Sequence, residues 1–181
     1  MIMIMLVDIF EILCDKGAMS LRYDPGTLLF SRGDKVGSLF LLEHGEVKLS
    51  RSLMTGKELV LHRAQAPGIV AEASVYSATY HCDAVCVSHC TIVRLPVSRF
   101  LRLIENNKKL SQTWSAHLAR TLQSTRFRSE ILTMKKVSER LDAWLDWHSN
   151  KLPPKGQWKE VAAEIGVSPE ALYRELARRR L

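Results

Sequence analysis

Glu170, Tyr173, Arg174 and Arg178 recur at steps of three and four near the end of a 181-residue chain. At that spacing they share one face of a helix. The chemistry such a face offers is the reading of a polar surface. A guanidinium fits guanine O6 and N7 in two-point fashion, and a carboxylate accepts from cytosine N4. His81, Cys82, Cys86, His89 and Cys90 form a second set, whose chemistry would be metal or haem ligation. The three cysteines share strand parity and therefore one face of a strand. Positions four apart on a strand are about 13 Å apart, too far for one metal ion. They are expected as small buried side chains in a β core, with His81 and His89 at the surface and no metal bound. No paired carboxylates with a plausible site, no nucleophile–base set and no phosphate loop stand out, so an enzyme is not expected.

The stretch that must position the first set is WKEVAAEIGVSPEALYRELARRRL, residues 158–181. Val161, Ala162 and Ile165 fall at helical spacing. Gly166 follows at once, where a helix ends and φ > 0 is often needed. Val167 plugs the turn, Ser168 is an N-cap and Pro169 stands at the first helical position. Leu172 and Leu176 give the second helix its buried stripe. Two short helices around such a turn are the pattern of a DNA-binding helix-turn-helix, whose second helix enters the major groove. A plain αα-hairpin is the alternative.

The rest of the chain changes texture twice. Residues 1–16 read as a short packed helix, too short and too interrupted by Asp8 and Glu11 for a signal peptide or membrane span. From Leu21 to Pro96, short apolar runs alternate with glycine turns: 27–30, 38–42, 46–50, 58–62, 82–87 and 90–95. That rhythm predicts an all-β sandwich or barrel. Residues 97–104 are helical. Asn107 to Met134 forms one long helical pattern with Leu110, Trp114, Leu118 and Leu122 stepping by four. Such a stripe suits self-association, with packing on its own β domain as the alternative. A further helix is expected over 138–148, with Val137, Leu141, Trp144 and Leu145 inward.

Apolar residues make up 46% and charged residues 25%, so a packed core rather than disorder is indicated. The net charge of +7 is uneven: residues 1–119 carry +2 and residues 120–181 carry +5. The excess lies where attraction to phosphates would need it. Four cysteines without a Cys-x-x-Cys pair fit reduced thiols in a cytoplasmic setting.

The ordered set of parts resembles the Crp–Fnr superfamily of bacterial transcription regulators. The residues that carry the likeness are Gly26, Gly33-Asp34, Leu39-Phe40-Leu41-Leu42, Gly45-Glu46-Val47, Pro67-Gly68, AEASVYSATYHCDA (71–84) and VAAEIGVSPEALYREL (161–176). The resemblance implies an α+β chain in three parts. Residues 1–106 would be a jelly-roll-like β-roll sensor, 107–134 a long dimerisation helix, and 135–181 a winged-type helix-turn-helix head. It implies a homodimer that binds palindromic double-stranded DNA, a small-molecule effector, RNA polymerase as a further partner, and no membrane. Glu170 and Arg174 match two of the base-reading positions, and Pro169 stands where some relatives have another reading arginine. Ser168, Tyr173, Arg178, Arg179 and Arg180 are then phosphate or shape contacts. The β-hairpin wing of relatives is not seen before Leu181.

In cyclic-nucleotide-binding relatives a Gly-Glu pair opens a short helix, and an arginine about ten residues on pairs with the cyclic phosphate. Here the resemblance places Ala71 and Glu72 at the pair, Cys82 at the arginine and Asp83 after it. Thr125 and Arg126 on the long helix complete the implied pocket, with Arg126 a possible substitute charge. Replacing a charge-assisted bond by a thiol beside a carboxylate costs at least ~1.5–3 kcal/mol. The expected effector is therefore not cyclic AMP, and no cofactor is expected. Two alternatives are a haem or redox sensor of the same architecture, and a ligand-binding or interaction module whose head no longer reads DNA.

Overall fold

The computed structural model describes residues 9, 10, 12, 13, 19–56 and 58–179. The described chain divides into two compact units, residues 1–118 and 119–181. The start of the chain expected as a helix lies mostly outside the described residues. Within it, Ile9, Phe10, Ile12 and Leu13 are helical.

The first unit is built on two four-stranded antiparallel sheets. One runs β1 (Ser20–Tyr23), β8 (Cys90–Pro96), β3 (Ser38–His44), β6 (Gly68–Val70). The other runs β2 (Leu28–Phe30), β7 (Asp83–Cys86), β4 (Glu46–Ser52), β5 (Glu58–Gln65). Between the sheets lies a core of Phe30, Phe40, Leu42, Val47, Leu49, Ala84 and Ile92. The other face of β3 and β8 supplies Leu39, Leu41, Val93 and Leu95 to a second core. It is closed by Phe100 of α1 (Val97–Asn106) and by Leu110 and Trp114 of α2 (Lys108–Thr133). This explains why β3 reads as an unbroken apolar run: both of its faces are covered. The glycine between β3 and β4 is required. Gly45 has φ +93°, and a Cβ there would lie 2.4 Å from the His89 carbonyl oxygen.

The six apolar runs all fall on strands. β1 and β6 are additional. β6 has only three residues, and β1 shows no buried face of its own and is held by pairing Ser20–Tyr23 against Cys90–Val93. The long helix begins and ends within a residue of its expected bounds. Its apolar stripe divides. Leu110 and Trp114 are buried and Leu118 packs on the second core, whereas Leu122 is half exposed.

The second unit holds the rest of α2, then α3 (Val137–Trp147), α4 (Trp158–Glu164) and α5 (Pro169–Arg179). Ile131, Leu141, Trp144, Val161, Ala162, Ile165, Leu172 and Leu176 form its core. Gly166 has φ +67°, and a Cβ there would meet Leu132 and the Arg140 guanidinium. Arg140 ties the unit together. Its Nε donates to the Met134 carbonyl at 2.9 Å, and Nη2 donates to Leu132. Its Nη1 donates to Ile165 at 3.0 Å and Gly166 at 2.9 Å. One cation thus closes the C-terminal ends of α2 and α4, where helix carbonyls lack partners.

Candidate effector site and recognition helix

Two sets of residues were picked out for chemistry, and each is gathered on its own unit. On the β unit, a 3-10 turn over Glu72–Ser74 follows β6. The residue before it, Ala71, is buried and has φ +78°, a conformation ordinarily left to glycine. The backbone here therefore keeps the shape a glycine would give it while carrying a methyl group. Such strain collects at ligand sites.

Glu72 is half buried, and burial holds its carboxyl above the usual carboxylate range. Among the described residues its carboxylate meets only its own backbone N–H. Ser74 is buried and its hydroxyl lies 2.9 Å from His81 Nδ1. The Cys82 thiol is buried, which pushes its pKa up. The positive charge of Arg51 acts the other way, and Asp83 and Glu72 add to the rise. Asp83 is engaged by the fold, since its carboxylate accepts from the Arg32 backbone N–H at 2.8 Å.

The structure thus brings Ala71, Glu72, Cys82 and Asp83 into one neighbourhood. Thr125 and Arg126 belong to the second unit and are exposed there, and the Thr125 hydroxyl donates to the Thr121 carbonyl. A residue the sequence did not single out joins the first four. Arg51 Nε donates to the His81 carbonyl at 2.7 Å. Arg51 follows directly on the regular β4–β7 register, in which Ser50 pairs with Asp83. That pairing joins segments far apart in the sequence, and the turn glycines alone could not reveal it.

Cys82, Cys86 and Cys90 are buried free thiols inside the sandwich, as expected, but not on one strand: Cys86 ends β7, Cys90 opens β8, and these two thiols lie in contact. Burial, with Cys90 alongside, pushes the Cys86 thiol up to about 12. Cys90 itself donates to the Glu46 carbonyl. Burial thus disfavours the thiolate at Cys82 and Cys86. Cys14 lies outside the described residues. Among those described, no three His, Cys, Asp or Glu side chains converge as a metal site. His89 is largely exposed and pairs with Asp24 at 3.3 Å, while His81 is exposed but held by Ser74.

On the second unit, the cap forms as the sequence predicted. Ser168 Oγ accepts from the Ala171 N–H at 3.2 Å, and Pro169 is the first residue of α5. Leu172 and Leu176 are buried, which turns Glu170 and Arg174 outward, both exposed. Glu170 is held below the usual carboxylate range, first by its own backbone N–H, then by Ser168 and Arg174. Arg174 makes no hydrogen bond or ion pair among the described residues. With Val137, Ala171, Glu175 and Arg178 it lines a concavity of about 440 Å³.

The other residues of the set differ. Tyr173 is half buried with its ring 5.3 Å from that of Trp158. Arg178 is exposed and paired with Glu175. Arg179 is engaged by Glu175, Asp142 and the Ser138 carbonyl, so its guanidinium braces α5 against α3. Arg180 lies outside the described residues. Glu175, between two arginines, is lowered to about 2.

With this geometry in view, comparison with known proteins is specific. Residues 20–107 match the cyclic nucleotide-binding domain. FixK2 from Bradyrhizobium japonicum superposes with a TM-score of 0.68 at 13% identity, over 90% of this chain and 84% of that one. The c-di-GMP responsive global regulator CLP from Xanthomonas campestris gives 0.63 at 20% identity, over 97% and 90%. A protein of Silicibacter pomeroyi DSS-3, assigned as a cAMP-binding regulator, gives 0.58 at 25% identity, over 90% and 76%. The sheet unit is therefore a cyclic-nucleotide-binding-type domain. The chain as a whole shares its fold with FixK2 and the regulator CLP. No helix among the described residues is long and apolar enough to cross a membrane.

Proposed function

We propose that this protein is a cytoplasmic transcription regulator that binds a two-fold-related DNA site as a homodimer, with α5 as the recognition helix. The observation that carries the reading is the division of α5. Leu172 and Leu176 are buried on one side. On the other, Glu170 and Arg174 stand exposed one turn apart, and Arg174 has no hydrogen-bond or ion-pair partner among the described residues. Arginine to guanine and glutamate to cytosine are the pairings that spacing suits. Ser168, Pro169, Tyr173 and Arg178 flank them as phosphate or shape contacts, and the +5 charge of residues 120–181 supports attraction to the backbone. The half-exposed Leu122, continuing the stripe of α2, supports pairing of two such helices. RNA polymerase would be the further partner of a DNA-bound regulator.

The effector site of this reading is the neighbourhood of Ala71, Glu72, Cys82 and Asp83, and the effector is not cyclic AMP. Support comes from Cys82, a neutral buried thiol at the position where the resemblance implies an arginine, with Asp83 beside it. Micromolar affinity for cyclic AMP in a calorimetric titration would overturn that part. The main test is selection of bound genomic fragments, followed by Arg174→Ala. Loss of about 1–3 kcal/mol of discrimination at one base pair of each half-site is expected. An unchanged specificity profile would remove α5 from the role.

A further inference from the structure

We propose that Cys86 and Cys90 form a two-coordinate site for a soft monovalent metal ion, Cu(I) or its congener Ag(I), bridging the two sheets of the β unit. The site is separate from the effector neighbourhood, at the opposite end of β7 from Asp83, and does not depend on that reading.

Along one strand, side chains four apart cannot share an ion. Here the chain turns between them. Cys86 is the last residue of β7 in one sheet, and Cys90 is the first of β8 in the other. Val87, Ser88 and His89 make the crossing, and the two sulfurs lie in contact. Both side chains are closed off from solvent, and neither forms a disulfide.

The backbone around the pair holds it in place. The Cys86 N–H donates to the Thr27 carbonyl at 2.9 Å, and the Cys86 carbonyl accepts from the Gly26 N–H at 2.7 Å. The crossing is fastened to Glu46. The Val87 N–H donates to the Glu46 carbonyl at 2.9 Å, and the Glu46 N–H donates to Ser88 Oγ at 2.9 Å. Cys90 Sγ donates to the same Glu46 carbonyl at 3.3 Å. Gly45 leaves the room, since a Cβ there would lie 2.8 Å from Cys90 Sγ. Two sulfurs preset in contact need only part slightly to admit an ion between them.

The donor set selects the ion. Thiolate sulfur prefers soft ions such as Cu(I). Zinc asks for three or four protein ligands, and among the described residues no third His, Cys, Asp or Glu joins the pair. A soft monovalent ion is satisfied by two thiolates in line. Binding balances as an exchange: two S–H bonds break, two metal–sulfur bonds form and two protons leave, with no change of oxidation state. The Cys86 thiol is pushed up to about 12, so protons compete and affinity climbs with pH. The crossing itself is at the surface, with Val87 and His89 exposed, so the pair lies just beneath it.

The test uses the reduced full chain without oxygen. One probe is the Cu(I) acetonitrile complex, and the other is silver nitrate in chloride-free buffer. One ion per chain should survive a competitor, bicinchoninate for Cu(I) and free histidine for Ag(I), and the tighter arm tells which ion the site serves. X-ray absorption of the loaded chain should show two sulfur neighbours and no nitrogen or oxygen. Two protons should be released per ion. Cys86→Ala and Cys90→Ala should each weaken binding at least about a hundred-fold, whereas Cys82→Ala and Cys14→Ala should leave it unchanged. Loss of both ions to the competitors, a shell with a third protein donor, or full affinity in Cys86→Ala overturns the proposal. A Cys86–Cys90 disulfide formed with hydrogen peroxide, while neither ion is retained by the reduced chain, would assign the pair to redox chemistry instead. The sulfur shell is read on the unaltered chain, so a variant that fails to fold does not spare the proposal.

Discussion

Replacing Arg140 with methionine removes four hydrogen bonds and one positive charge while keeping most of the aliphatic stem. Bonds from a charged donor are worth about 1.5–3 kcal/mol each when isolated. Here all four share one half-buried guanidinium, and three of the four bonds lie between 2.9 and 3.0 Å. Freed carbonyls at a half-exposed site recover water, so the sum is far below four times that value. The favourable placement of a cation at two helix C-termini adds about 0.3–1 kcal/mol each. Together these predict a loss of about 2–4 kcal/mol, confined to the unit of residues 119–181. For a unit of that size the midpoint should fall by about 10–25 °C. Tryptophan emission suits the measurement, because Trp144, Trp147 and Trp158 lie in that unit and Trp114 in the other. Arg140→Lys, with one ammonium for four scattered carbonyls, should fall between the two. A loss below about 0.5 kcal/mol for the methionine variant would refute the reasoning, because it would mean that solvent satisfies those carbonyls equally well.

Ala71→Gly should be close to neutral, since relief of the left-handed backbone, about 1 kcal/mol, is offset by loss of a buried methyl. Ala71→Val should cost about 2 kcal/mol or more in a urea titration, because a branched residue resists that φ. Glu72 has its pKa raised in the folded state, so the native chain holds the proton more tightly and stability falls as pH rises from about 4.5. Glu72→Gln should then match wild type below pH 4 and be more stable at pH 7, read from midpoints across that range. Glu175 has the opposite sign. Its lowered value, about 2, means that the arginine pairs stabilise above pH 4.5 and are lost as pH falls towards 2. Glu175→Gln should remove that acid-side dependence from the thermal midpoint of the helical unit.

Much of this was legible because it is local. Gly166, Ser168 and Pro169 specify a stop, a cap and a start within four residues, and Leu172 and Leu176 specify which side of α5 is buried. The glycine-punctuated runs showed six strands for the same reason. What escaped depends on distance along the chain. β1 has no fully buried residue and exists through its pairing with β8. Arg140 acts on carbonyls up to 26 residues away. Arg179 reads from the resemblance as a phosphate or shape contact, yet Asp142 on another helix engages it. Arg51 reaches the His81 carbonyl, 30 residues away, through the pairing of β4 with β7.

The three thiols inside the sandwich also make the β unit its own clock. Cys82, Cys86 and Cys90 line one interior, and none forms a disulfide. With Cys86 at about 12, that buried side chain presents almost no thiolate at neutral pH, and all three sulfurs are shut off from solvent in the closed form. A small alkylating reagent can therefore label these sites only when the sheets part. At low reagent the labelling rate reports how often the sandwich is open, and at high reagent it reports how fast it opens. Any molecule that settles between the sheets must slow that clock, whether or not its identity is known.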